Sequence, residues 1–231
     1  MNKRMGSYYE KQLAAERLKR CYDIAPPRVN QYFAAEIDHV LRHLKAGDRV
    51  LDLGCGYGRI IPDLAHKVGI AGQVVGVDIS RVSLEMARRR LAGAPNCLLM
   101  EMDARRMAFA DGAFDVTICI QNGISAFHTD PRRLIEESLR VTCSGGLALF
   151  STYAEKFWPD RLAWFRLQAQ EGLVGEIDDE KTGNGVIVCK DGFRATTFSA
   201  GQFQALTADL AAAVRIAEVD ESSLFCEIVK Q

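Results

Sequence analysis

The chain has 231 residues, of which 48% are apolar and 26% charged, with a net charge of −1. That length can bury a substantial core in a single α/β domain, while the near-neutral balance leaves no clustered basic surface of the kind nucleic acid requires. No segment of signal-peptide length opens the chain and nowhere do about twenty apolar residues run together, so a cytoplasmic protein without membrane contact is expected.

Read in chain order, SYYEKQLAAERLKRCY (from Ser7) is rich in helix formers, and the diproline Pro26–Pro27 ends it. VNQYFAAEIDHVLRHL then places Phe33, Ile37, Val40, Leu41 and Leu44 on one helical face, with Gly47 closing that helix. From residue 49 short apolar runs alternate with amphipathic ones. Strands are predicted at 49–53, 73–77, 97–101, 114–120 and 146–151, and helices at about 58–68, 80–92 and 131–141. Near-continuous apolar strands in a β-α-β rhythm signal a parallel sheet covered on both faces, doubly wound by right-handed crossovers. Residues 155–171 read as a further helix, GVIVCKDGFRATTF as a hairpin turning at Asp191–Gly192, and 200–212 as a helix. Two last strands join through Asp220–Ser222 as an antiparallel pair. The expected whole is one domain with a Rossmann-like seven-stranded sheet whose last strand is antiparallel. It comprises a helical cap (1–46), a ligand-binding core (47–152), an inserted lid (153–199) and a closing helix and strand pair (200–231). Seven scattered cysteines, 21, 55, 97, 119, 143, 189 and 226, include no C-x-x-C pair. That argues against zinc and disulfides and predicts free thiols, mostly small core residues, in a reducing compartment.

Chemistry concentrates where the first strand runs into D-L-G-C-G-Y-G, residues 52–58. Three alternate glycines suit a backbone in unusual dihedrals that touches something closely, and in an open α/β sheet ligands sit beyond the carboxyl ends of the strands. The stretch departs from the dinucleotide fingerprint G-x-G-x-x-G, because Arg59 stands where a third glycine would be, and no P-loop G-K-[ST] follows. Asp52 could attract an ammonium group, and Asp78, at the end of the second strand, could accept from both ribose hydroxyls of an adenosine. Asp103, past the third strand, could receive the adenine amine between Ile79 and Met102, while Gln121, Asn122 and Gly123 end the fourth strand at the same ligand edge. Each has a plainer competitor: a tight turn for the glycines, a helix N-terminus for Asp78, a turn acid for Asp103 and loop amides for Asp52.

The order D-L-G-C-G-Y-G, then acid, then acid-alanine at Asp103–Ala104, then the fourth strand resembles the class I S-adenosylmethionine-dependent methyltransferases over about residues 48–152. The resemblance implies S-adenosylmethionine as cofactor (S-adenosylhomocysteine as product), with Asp52, Gly54, Cys55, Gly56, Tyr57 and Gly58 around its methionine end. It further implies Asp78 and Ile79 at the ribose, Met102, Asp103 and Ala104 at the adenine, and Gln121, Asn122 and Gly123 beside the sulfur. Methyl transfer from a sulfonium is an in-line displacement that alignment alone accelerates strongly, so the lack of a triad or metal cluster is expected. No N-P-P-Y or D-P-P-Y signature ends the fourth strand, and QNGISAF is similar to a stretch of small-molecule N-methyltransferases of the glycine/sarcosine type. The predicted substrate is therefore a small metabolite methylated at N, O or S, by a monomer or homodimer. Tyr8, Tyr22, Arg28, Tyr32, Tyr153, Trp158, Trp164 and Arg194 are candidates for the substrate wall, with Arg28 or Arg194 for a carboxylate. Aromatic residues at helical spacing are more often core. His128 is the candidate base and Tyr9 a second catalytic candidate, although His128 could instead bond Asp130. Competing readings are a nicotinamide-dependent oxidoreductase with a degenerate glycine loop and a non-catalytic cofactor-binding partner protein.

Overall fold

A computed structural model describes residues 8–231; residues 1–7, which include the start of the first predicted helix, lie outside it. Seven strands form one sheet: β1 (Arg49–Leu53), β2 (Gln73–Asp78), β3 (Cys97–Glu101), β4 (Phe114–Cys119), β5 (Thr142–Tyr153), β8 (Ala212–Val219) and β9 (Ser223–Lys230). Their order is β3-β2-β1-β4-β5-β9-β8, and β9 alone runs against the direction of the other six. Strand order reverses between β1 and β4, which places the glycine loop at the switch point.

The alternation of side chains along each strand divides the core between the two faces. Val50, Val74, Val116 and Leu149 point to one face, which α3 (Pro27–His43), α4 (Ile61–Val68) and α5 (Arg81–Arg90) cover. Leu51, Val75, Ala148 and Phe150 point to the other, under α7 (Pro131–Val141) and α9 (Ala200–Thr207). A third apolar cluster lies apart from both. It joins α1 (Tyr8–Lys11), α2 (Ala15–Asp23) and the start of α3 to α8 (Trp158–Gln170) and to the small hairpin of β6 (Ile187–Val188) and β7 (Arg194–Ala195). The N-terminal helices and the insertion thus form one cap with its own aromatic core.

Several boundaries differ from the sequence reading. The first predicted helix breaks at residues 12–14, where Leu13 turns inward to the cap core. Ala15 then takes a left-handed φ of 47° and its N–H donates to Ser83 Oγ at 3.0 Å, seating α2 on α5. The helix α3 ends at His43, so Gly47 (φ 90°) serves the following turn rather than the helix end. β5 starts four residues early because Phe114 pairs with Thr142 before a register shift brings Val116 opposite Leu147. α4 begins only at Ile61 and α9 ends at Thr207. All seven cysteines are free thiols, and five are buried. Among the described residues no helix is long and apolar enough to cross a membrane.

Candidate active site

The glycine loop adopts the backbone its sequence calls for. Gly54, Gly56 and Gly58 have φ of 74°, 54° and 73°, a region that side chains avoid. Neighbours also press on the loop: a Cβ at Gly54 would lie 3.3 Å from the Phe127 ring, and one at Gly58 3.1 Å from Ala87 Cβ. Gly54 and Cys55 donate to Val77 O at 2.8 and 3.0 Å. Asp78 completes the cradle. One of its oxygens accepts from Gly56 N–H at 2.9 Å and the other from Ser80 N–H at 2.7 Å. Ser80, not Asp78, caps α5, so the helix-cap alternative falls to its neighbour.

Beside this loop lies a cavity of about 60 Å³, walled by Asp52, Gly54, Gly56, Arg59, Tyr22 and Gln121 among others. Three of these carry buried polar atoms without a hydrogen-bond partner: Asp52 Oδ2, Nε and Nη2 of Arg59, and Gln121 Nε2. Burial, then the nearby charge of Asp78, raises the Asp52 carboxyl to about 7, with Arg59 pulling the other way. The Arg59 guanidinium is held flat by rings, 4.6 Å from the Tyr22 centroid and 4.9 Å from that of Phe33. Tyr22 Oη donates to Gln121 Oε1 at 2.9 Å. Gln121 and Asn122 both take left-handed φ (56° and 60°), strained backbone at the end of β4 where ligands are expected. An acid, a guanidinium and an amide around one small space match the ammonium and carboxylate of an amino acid. The residues present therefore fit the methionine end of S-adenosylmethionine. A larger open depression of about 470 Å³ lies between the C-terminal ends of α4 and α5, away from this edge and its chemistry.

The remaining predicted residues fall into two groups. Around the cofactor, Cys55, Tyr57 and Ala104 are buried, Ile79 is exposed, Met102 is half-buried and Gly123 begins the short helix α6 (Gly123–Ala126). Asp103 has both oxygens engaged by Arg105, at 2.8 Å from Nε and 2.6 Å from Nη2, so an adenine amine must share them. Asn122 turns its side chain away to structure: Nδ2 donates to Thr196 O at 2.9 Å and Oδ1 accepts from Thr152 Oγ1 at 2.8 Å.

Of the substrate-side candidates, only Tyr22 lines the cavity. Tyr32 (fully buried) and Tyr153 sit in the cap core 5.2 Å apart, and Trp158 packs against it. Tyr8 Oη donates to Asp191 Oδ2 at 2.6 Å, and Tyr9 packs on Phe193. Arg28 is paired with Asp220 at 2.6 Å, tying α3 to the β8–β9 turn, and Arg194 is exposed on β7. His128 is exposed in a left-handed bend (φ 45°) outside the cavity wall, and Asp130 caps α7 by accepting from Arg132 N–H.

The sequence reading used Arg59 only as a departure from the dinucleotide fingerprint and passed over Phe127, Glu36 and Arg161. Glu36 is fully buried and neither oxygen makes a well-formed hydrogen bond. Burial lifts it to about 7, against the nearby hydroxyls of Ser151, Ser223 and Tyr32 and the charge of Arg59. The signal was present in the spacing: Glu36 shares the apolar face of Phe33 and Val40, and Arg161 that of Trp164 and Phe165.

A mostly parallel sheet in this order, with a ligand cradle at the carboxyl ends of β1, β2 and β4, is the fold of the class I S-adenosylmethionine-dependent methyltransferases. Residues 50–146 match the family profile described as a methyltransferase domain. The chain is 31% identical over 138 residues to a demethylmenaquinone methyltransferase of Desulfitobacterium hafniense, covering 58% of this chain and 54% of that protein. It is 32% identical over 139 residues to a malonyl-[acyl-carrier protein] O-methyltransferase of Legionella pneumophila, covering 59% and 48%. The chain thus spans about half the length of these curated relatives. A crystal structure of magnesium protoporphyrin IX methyltransferase from Synechocystis PCC 6803 with bound S-adenosylhomocysteine superposes at a TM-score of 0.66. It is 18% identical and covers 97% of each chain, a likeness of fold.

Proposed function

We propose that this protein is a methyltransferase that moves the methyl group of S-adenosylmethionine to N, O or S of a small metabolite by in-line displacement. The observation that carries this reading is the convergence of the unpartnered Asp52, Arg59 and Gln121 groups on one cavity beside the glycine loop. S-adenosylmethionine supplies an electrophilic methyl on a sulfonium. Asp52 would take its ammonium, Arg59 its carboxylate and Asp78 its ribose, while the glycine backbone allows close approach. The chain's work is then alignment and exclusion of water, which can lower a barrier by several kcal/mol. Tyr9 does not suit the part of a base there, because burial pushes its phenol far above the usual range and its ring packs on Phe193 in the cap.

The relatives named for demethylmenaquinone and malonyl-[acyl-carrier protein] support a non-nucleic-acid acceptor. The nicotinamide reading gains no support, since the matched profile and fold are those of methyltransferases. Titration calorimetry with S-adenosylhomocysteine tests the assignment, with NADH as competitor. Binding that NADH does not displace is expected, and Asp78→Ala should weaken it by about 1.5–3 kcal/mol, the worth of hydrogen bonds to a charged acceptor. Folded wild-type protein that ignores S-adenosylhomocysteine at millimolar concentration would end this reading.

A further inference from the structure

Arg161, in the middle of α8, is completely buried in the cap. Its guanidinium lies 4.4 Å from the centroid of Tyr153, 5.6 Å from Phe165 and 5.7 Å from Trp158. Two of its five N–H donors are used, Nη1 to Gly185 O at 2.9 Å and Nη2 to Ala195 O at 3.3 Å. Nε has no partner. No carboxylate pairs with it among the described residues; the titratable groups that face it are the phenols of Tyr153, Tyr32 and Tyr9. The contrast with the surface is telling, since the solvated Arg49 and Arg140 each hold an acid. A buried cation without a counter-ion is costly, and aromatic faces return only part of that cost. The one guanidinium that most needs an anion lacks one from its own chain.

We propose that Arg161 anchors an oxyanion carried by the methyl acceptor, so that the acceptor is a small acidic metabolite. This deepens the methyltransferase reading and rests on it. The edge formed by Nε and Nη2 is the underused one, and a planar carboxylate or a phosphate can take both donors there. The placement suits an acceptor that must reach the cofactor cavity. Tyr22 stands in that cavity's wall with its ring 5.0 Å from Phe33; Phe33 lies 5.2 Å from Tyr32, and Tyr32 lies 5.2 Å from Tyr153, the ring under Arg161. Entry requires the Tyr8–Lys11 turn to lift. That single turn is held by Tyr8 on Asp191 and by ring contacts to Phe193, and the helix is interrupted just after it at residues 12–14.

The test uses the full chain saturated with S-adenosylhomocysteine. Calorimetry and thermal shift are run with benzoate, malonate, inorganic phosphate and neutral benzamide at matched ionic strength. At least one anion should bind and raise Tm while benzamide does neither; a response to malonate or benzoate assigns a carboxylate, and one to phosphate alone assigns a phosphate ester. Arg161→Met should bind that anion at least ten-fold more weakly, with unchanged S-adenosylhomocysteine affinity showing that it is folded. Arg161→Lys, the fallback if the apolar variant misfolds, should also lose about ten-fold because it lacks the two-pronged edge. Wild-type protein that binds S-adenosylhomocysteine but none of the anions overturns this proposal and leaves the methyltransferase reading standing. So does anion binding that survives both substitutions. Failure to bind S-adenosylhomocysteine at all removes the underlying reading instead.

Discussion

Two buried acids, Asp52 and Glu36, give the site its electrostatic character, with Arg59 acting on both. Both are lifted to about 7 by burial, so each is protonated in the folded state at a pH where it would be ionised in the unfolded chain. Native protein then binds more protons than unfolded protein between about pH 4 and pH 7, and the contribution of these groups to stability falls as pH rises through that window. Above it the loss is complete. Glu36→Gln should therefore flatten the stability–pH profile across this window and stabilise the protein at pH 8 by about 1–3 kcal/mol, read from urea unfolding at several pH values. A variant less stable than wild type at pH 8 would show that ionised Glu36 is held by Arg59 more strongly than burial opposes it. The comparison is made between variant and parent because Asp115 and Asp220, held low by Arg49 and by Arg28 with its neighbours, tilt the whole profile the other way.

At the scale of elements, the insertion is fastened to the sheet at the end of β4. Asn122 links Thr152 on β5 to the backbone of Thr196, and Ser125 Oγ meets Thr196 Oγ1 at 3.0 Å. Asn122→Ala would leave a buried carbonyl and a buried hydroxyl without this partner, a loss of about 1–3 kcal/mol. Hydrogen exchange should show the 185–198 segment opening faster while β1 and β4 keep their protection; uniform acceleration of the whole chain would sink this assignment. The hairpin itself was readable from its Asp191–Gly192 turn, because Gly192 (φ 96°) supplies what the turn requires. The break in the first helix was not. Helix formers run through it, and only the pull of Leu13 into the cap and the bond from Ala15 to Ser83 decide against continuity.

For the molecule as a whole, α3 is the joint between sheet and cap. Its first half gives Val29, Tyr32 and Phe33 to the cap core, and its second half gives Val40 and Leu44 to the sheet core. Arg28 adds an ion pair to Asp220 at the β8–β9 turn. Both tryptophans lie in the cap, and Trp164 Nε1 donates to Cys21 O at 2.9 Å. Tryptophan fluorescence therefore reports the cap and far-ultraviolet dichroism the whole fold. With one continuous helix shared by both cores, the two urea transitions should coincide, as two-state unfolding requires. A fluorescence midpoint clearly below the dichroism midpoint would mean that the cap melts on its own.

The sequence by itself determined the sheet, its winding and the ligand edge. Strand patterning is local and repeats every second residue, and the glycines Gly54, Gly56 and Gly58 announce a backbone that few other residues tolerate. Asp52 and Asp78 were legible for the same reason, being fixed by their offset from strand ends. What only the tertiary structure decided is which polar side chains lack partners. Strand-end position singled out Gln121 and helical spacing sets Glu36 and Arg161 on apolar faces, but that these groups and Arg59 are left without enough hydrogen-bond partners arises only when distant elements bury them. Conversely, Arg28 was a plausible anion binder until the fold gave it Asp220, 192 residues away. Burial and pairing depend on everything that packs around a group, and no local pattern encodes them.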